Sequence, residues 1–220
     1  MVTLGLLHTS QVHVPVFDAL RDEHRPGLEL RHYVDESLLE RARQEGPDAV
    51  APDVRAALEQ AVAAGAGAVL CTCSTIGGVA EAVGAGGVPV LRVDRPMAAE
   101  AVAAGRRIVV LATVESTLGP TVALVEEEAR RAGRAAEVRP VLVEGAWELF
   151  GAGDADGYAR SIAQAVAAVD DADAIVLAQA SMAVAEDLVR EARGARGAGG
   201  AGASVLSSPG PGFAAAARLV

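Results

Sequence analysis

A chain of 220 residues is long enough for one large domain or two small ones, each with its own core. Its 51% hydrophobic and 22% charged residues are the composition of a folded globular protein, while 3% aromatics and a net charge of −10 leave it without the stacking platforms and basic footprint of a nucleic-acid binder. Every one of the 19 basic residues is arginine, which excludes chemistry built on a lysine amine of this chain, such as a Schiff base or a phosphate-loop lysine.

In chain order, apolar β-branched runs predict strands over 2–7, 28–33, 68–71, 88–93, 107–111, 137–141, 174–177 and 204–206. The Ala-rich stretches around them predict helices over 14–23, 36–44, 52–64, 76–83, 97–104, 118–132, 158–169, 183–193 and 212–219. Strands alternating with helices build parallel sheets covered on both faces, so the expected fold class is α/β. Residues 61–80 carry no charge over a length that could span a bilayer, but Gly65, Gly67, Gly77, Gly78 and the run Thr72-Cys73-Ser74-Thr75 break them into helix end, strand and loop. The opening residues have no basic segment and too short an apolar run for a signal peptide, so a cytoplasmic protein with no membrane contact is expected.

An internal echo divides the chain. Residues 67–75 match 173–181 in pattern, and 90–99 match 205–215, so each half ends in the same strand, loop, helix, strand, helix series. This predicts two pseudo-symmetric lobes with parallel sheets flanked by helices, the first formed by 1–96 with 206–220 and the second by 97–205, with an active-site cleft between them. The Gly/Ala-rich run 194–203 reads as a surface loop with no assigned function.

Cys71 and Cys73 are the only cysteines, and one residue between them suits chemistry better than a disulfide. Cys73 lies between a predicted strand and a predicted helix, where free amides and the helix dipole favour thiolate. Ser74 and Thr75 add donors for a carboxylate. Two other readings stand beside this one: both cysteines as small buried hydrophobes, or both as a redox dithiol. Cys-x-Cys with no second cysteine pair and no histidine at ligand spacing argues against a metal.

His8-Thr9-Ser10 closes the first strand, where His8 either titrates near neutral pH in a cleft or hydrogen-bonds a loop, with His13 among the residues that could orient it. Asp35 reads as the N-cap of a helix starting at Glu36. Asp94 and Arg95 read as a structural ion pair or a lobe-to-lobe contact, Ser116 and Thr117 as substrate hydroxyls or helix caps beside a weaker candidate, Glu115, and His24 and His32 as surface or packed residues.

These motifs resemble a known family. Cys73-Ser74-Thr75 after a hydrophobic strand is similar to the Cys-Asn/Ser-Thr motif of the aspartate/glutamate/hydantoin racemase superfamily, the pyridoxal-independent racemases. Ile175-Val-Leu-Ala-Gln-Ala-Ser-Met182 resembles the family's second motif, Val-Leu-Gly-Cys-Ala-Gly-Met or Gly-Cys-Thr-His, and Leu111-Ala-Thr-Val-Glu-Ser-Thr-Leu118 resembles the second-lobe segment that supplies hydroxyls to the substrate. The resemblance implies no cofactor, a small carboxylate substrate, a homodimer or larger homo-oligomer, and two cysteines that remove and return a Cα proton on opposite faces. Cys73 matches the first. Aligning Ala180-Ser181-Met182 on Ala-Gly-Met puts Gln179 at the second, and a slip of one residue puts Ala180 there; neither is a titratable acid or base. The expected substrate contacts are His8, Thr9, Ser10, Ser74, Thr75, Ser116, Thr117, Ala180 and Ser181. The expected activity is racemase- or isomerase-like chemistry at the carbon next to a carboxylate. Two alternatives are a decarboxylase or cis-trans isomerase of the same superfamily, and a carboxylate-binding protein that has lost catalysis.

Overall fold

The computed structural model describes residues 3–195 and 202–220. Strands β1 (Thr3–His8), β2 (Glu29–Val34), β3 (Ala66–Cys71) and β4 (Val90–Arg92) form a parallel sheet in the order β2-β1-β3-β4. Strands β5 (Arg107–Ala112), β6 (Glu137–Leu142), β7 (Ala174–Leu177) and β8 (Ser204–Leu206) repeat that order as β6-β5-β7-β8. The helices are α1 (Val14–His24), α2 (Ser37–Glu45), α3 (Ala51–Ala63), α4 (Ser74–Val83), α5 (Arg95–Ala104), α6 (Glu115–Arg131), α7 (Ala146–Gly151), α8 (Ala155–Ala167), α9 (Glu186–Ala195) and α10 (Pro209–Ala216). The chain divides into two compact units, Met1–Pro96 with Ser208–Val220, and Met97–Ser207.

Strand parity explains the layering of each unit. In β1 and β3, Leu7, Val69 and Cys71 face a core built with Leu38, Val54, Leu58 and Ile76. Their neighbours Leu4, Leu6, Ala68 and Leu70 face a second core with Phe17 and Phe213. Burying each phenylalanine there stabilises by about 1.5–3 kcal/mol. The second unit repeats the plan: Val109, Leu111, Ile175 and Leu177 pack with Tyr158 and Ile162, and Ile108, Val110, Ala174 and Val176 pack with Met97, Leu124 and Val125. Central strands covered on both faces read as unbroken apolar runs, as Val109-Val110-Leu111 does. Pro140 sits on β6, an edge strand, where a missing N–H costs no ladder bond. After β8 the chain returns to the first unit, and α10 packs so closely at the end of β4 that a Cβ on Gly212 would lie 2.4 Å from the Val93 carbonyl oxygen.

Several local expectations shift. The helix expected from 183 is preceded by a 3-10 turn, Ala180–Ala185, tightened by the bond from Met182 N–H to the Gln179 carbonyl, so α9 itself starts at Glu186. Helix α6 begins at Glu115 rather than 118, and α8 at Ala155 rather than 158 because Asp154 caps it by accepting the Gly157 N–H at 2.8 Å. The short α7, with Trp147 stacked on Phe150 at 4.8 Å, was absent from the sequence reading. Of the loop expected over 194–203, residues 196–201 lie outside those described. The stretch 61–80 is the end of α3, β3, a loop and α4, and among the described residues no helix is long and apolar enough to cross a membrane.

Candidate active site

In a parallel α/β sheet, ligands bind beyond the carboxyl ends of the strands where the strand order reverses direction. In the order β2-β1-β3-β4 that point lies between β1 and β3, and in β6-β5-β7-β8 between β5 and β7. The loops that emerge there carry His8-Thr9-Ser10 and Thr72-Cys73-Ser74-Thr75 in the first unit. In the second they carry Thr113-Val114 and Gln179-Ala180-Ser181.

In the first unit Cys73 is the N-cap residue of α4, in extended conformation, and its side chain makes no capping hydrogen bond. The thiol therefore stands at the positive end of the helix dipole without being consumed by the helix. Ser74 follows it with a buried hydroxyl oxygen that has no hydrogen-bond partner within the protein. Beneath this turn lies an ion pair that is almost wholly buried: Arg92 Nε and Nη2 donate to the two carboxylate oxygens of Asp94 at 2.6 and 2.9 Å, and Nη2 also reaches the Ser74 carbonyl at 3.4 Å. Gly77 and Gly78 make room for it, since a Cβ on Gly77 would lie 2.9 Å from Arg92 Cβ. Cys71, fully buried, points into the core behind the loop, and its Sγ donates to the Cys73 carbonyl at 3.7 Å. Burial, reinforced by Cys73, pushes its thiol pKa up.

His8 is fully buried. Thr72 Oγ1 donates to the Leu7 carbonyl at 3.2 Å and so accepts His8 Nδ1–H at 2.8 Å; Nε2 is then left to accept Nδ1–H of His32, also at 2.8 Å. Desolvation, with His32 and His13 beside it, drives the His8 pKa to about 3, and burial drives that of His13 to about 4. Both rings are neutral at physiological pH, so His8 ties the ends of β1 and β3 together rather than titrating near neutrality.

The second unit uses an amide where the first uses a histidine. Gln179 Oε1 accepts the Thr113 N–H at 2.6 Å, the Thr113 hydroxyl at 3.0 Å and the Val114 N–H at 3.2 Å, joining the ends of β5 and β7. The Thr113 hydroxyl also meets the Tyr158 phenol at 3.2 Å, and the phenol meets the Ser181 hydroxyl at 2.9 Å. Burial raises the Tyr158 pKa and keeps the phenol protonated.

Thr9, Thr75 and Thr117 are buried close to these strand ends, as are Ala180 and Ser181, while Ser10 and Ser116 are partly exposed. Ser116 and Thr117 lie inside the first turn of α6 rather than ahead of it, and Gln179 meets the N–H groups of Thr113 and Val114 just before that helix. The Ser116 hydroxyl oxygen is buried without a partner in the protein. Asp35 accepts the Ser37 N–H at 3.0 Å, but α2 starts at Ser37 with Glu36 as its N-cap, so Asp35 stands one residue ahead of the expected capping position. Asp94 pairs with Arg92, and Arg95 with Glu81. The sequence does not single out Arg92 or Tyr158: Tyr158 meets Thr113 and Ser181 45 and 23 positions away, and Arg92 reaches the Ser74 carbonyl 18 positions back. Among the described residues no cluster of three metal-binding side chains occurs.

Two parallel four-stranded sheets, each with its strand order reversing at the centre, define the protein as an α/β fold. The chain matches the Asp/Glu/hydantoin racemase family over residues 9–203 and belongs to that family. No curated protein matches it. Solved structures share its fold at low identity. Aspartate racemase from Picrophilus torridus is 13% identical over 99% of this chain and 94% of its own, with a TM-score of 0.72. Glutamate racemase from Francisella tularensis, in complex with D-glutamate, is 9% identical over 99% and 80%, with a TM-score of 0.71. A liganded double mutant of arylmalonate decarboxylase, with one glycine changed to cysteine and one cysteine to serine, is 21% identical over 100% and 92%, with a TM-score of 0.67.

Proposed function

We propose that the protein transfers a proton at the carbon next to a carboxylate of a small amino acid or dicarboxylate, with Cys73 as the acid/base group and without a cofactor. The observation that carries this reading is the α4 N-terminus: a thiol free of capping bonds, the dipole of a ten-residue helix, and the unpartnered Ser74 hydroxyl beside it. As base, the Cys73 thiolate takes the Cα proton and leaves an enediolate. As acid, the thiol protonates the same intermediate when it forms by loss of CO₂.

Gln179 at the second position favours one-sided chemistry over a two-thiol racemase, since an amide can neither take nor give that proton. Decarboxylation with protonation from one face fits this pattern. Thiolate addition for cis-trans isomerisation needs only Cys73 as well. The substrate contacts in this proposal are Ser74 and Thr75, with Thr9 and Ser10 in the first unit and Ser116, Thr117, Ala180 and Ser181 in the second; His8, fully buried with both ring nitrogens bonded, supports them from behind. A homo-oligomer belongs to the same proposal, checked by light scattering.

The test is Cα-deuterium exchange into small amino acids, together with CO₂ release from aryl-substituted malonates, for the wild type and Cys73→Ala. Exchange or release that drops by about 10²–10⁴-fold in the variant supports the proposal. Wild-type activity that survives the substitution overturns the role of Cys73, and carboxylate binding with no turnover of any of these compounds identifies a binding protein instead.

A further inference from the structure

Proton positions in the second unit follow from the donors that surround Gln179. Two of its partners are backbone N–H groups, which only donate, so the atom facing them is the amide oxygen. Thr113 gives its hydroxyl proton to that same oxygen and must therefore accept from Tyr158; Tyr158, its proton spent on Thr113, accepts from Ser181. Ser181, Tyr158 and Thr113 form a one-way chain ending on Gln179 Oε1, and each bond in such a chain polarises the next. The oxygen is saturated. The amide nitrogen has no acceptor among the described residues, and Gln179 is partly exposed at the reversal point between β5 and β7.

We infer that Gln179 is a fixed hydrogen-bond donor to a carboxylate oxygen of the substrate. This rests on the reading above, in which a carboxylate is the group recognised. The position that would hold a second thiol then serves an electrostatic purpose: the amide N–H, polarised by three donors on its own carbonyl, strengthens its bond as charge builds on the carboxylate oxygens of an enediolate. Thr113 and Tyr158 are positioning residues for it. Ser181, having given its proton to Tyr158, is left as a hydrogen-bond acceptor.

The test is malonate binding by calorimetry, with the Gln179 side-chain amide followed by ¹H–¹⁵N spectra, in wild type, Gln179→Ala, Gln179→Glu, Tyr158→Phe and Cys73→Ser. In the wild type malonate binds and shifts the Gln179 amide protons downfield. Gln179→Ala weakens binding roughly tenfold, the loss of one charge-assisted hydrogen bond. Gln179→Glu is the discriminating variant. It keeps an oxygen for the Thr113 and Val114 donors, so a purely structural glutamine would be rescued, whereas a donor to carboxylate becomes a repelling anion and binding falls further than in the alanine variant. Tyr158→Phe weakens malonate binding without changing the alkylation rate of Cys73.

Binding of malonate by Gln179→Glu at wild-type strength, an unshifted Gln179 amide, or no malonate binding by the wild type overturns this inference. Cys73→Ser retains malonate binding if the inference holds. Deuterium exchange separates the two readings: exchange that depends on Cys73 while Gln179→Glu binds normally refutes only the role of Gln179. Malonate binding that depends on Gln179 while exchange is indifferent to Cys73 refutes only the role of the thiol.

Discussion

Cys71 and Cys73 belong to the same buried cluster, and what separates them is position: one ends a strand and the other stands at a helix N-terminus. Cys71 is the last residue of β3 and fully buried in the core, with its thiol pKa pushed up, while Cys73 caps α4 and retains a small exposure of 9%. Alkylation requires thiolate and access. Cys73 is therefore expected to react with iodoacetamide at neutral pH at least about tenfold faster than Cys71, since each unit of raised pKa removes a factor of ten in thiolate. Mass spectrometry of the labelled peptides checks this, and equal rates would contradict the ordering. A reversible disulfide between the two would revive the dithiol reading. Cys73 was legible in the sequence because its place between strand and helix is a local property. Its surroundings were not: Arg92 reaches the turn from β4, and nothing about Arg92 in the sequence sets it apart from the other arginines.

At the scale of elements, α4 depends on a pair of charges that water barely reaches. Arg92 and Asp94 are 5% and 0% exposed, and Arg92 braces the first turn of α4 through the Ser74 carbonyl. Removing one partner of a buried pair leaves a bare charge, whereas replacing both with apolar residues removes the desolvation cost as well. Asp94→Ala is expected to destabilise the protein by about 3–5 kcal/mol in urea unfolding, and the double variant Arg92→Met/Asp94→Leu by less than the single. A double variant worse than Asp94→Ala would show that the pair is worth more than apolar packing. Helix and strand boundaries followed apolar periodicity to within a residue in β7 and α1. They failed at α6 and before α9, where the Gln179 side chain meets donors of the preceding loop and a 3-10 turn intervenes.

Over the whole molecule, acid sensitivity is expected to come from the first unit. His8 and His13 have their pKa lowered from 6.5 to about 3 and about 4, so between those values and 6.5 the unfolded chain binds more protons than the folded one. Stability is then fully present above pH 6.5 and is lost as the pH falls from 6.5 toward about 4, by about 1.4 kcal/mol per pH unit for each ring. Urea unfolding across that window measures the slope, and His8→Gln is expected to flatten it. A profile unchanged by that substitution would mean that other groups set the acid limit.

The sequence by itself determined the class of the fold and its twofold internal plan, because alternating apolar runs and Ala-rich helices are local patterns and the echo between residues 67–75 and 173–181 repeats them. It also placed Cys73 between a strand and a helix, and it determined that lysine-based covalent chemistry has no residue to use. Tertiary structure alone decided which strands neighbour one another and hence where the order reverses, because the parallel pairs join residues far apart in the chain. It decided too that His8 is a neutral strut and that Gln179 faces its loop with the oxygen. Both outcomes depend on hydrogen-bond partners more than sixty positions away, Thr72 for the histidine and Thr113 for the glutamine.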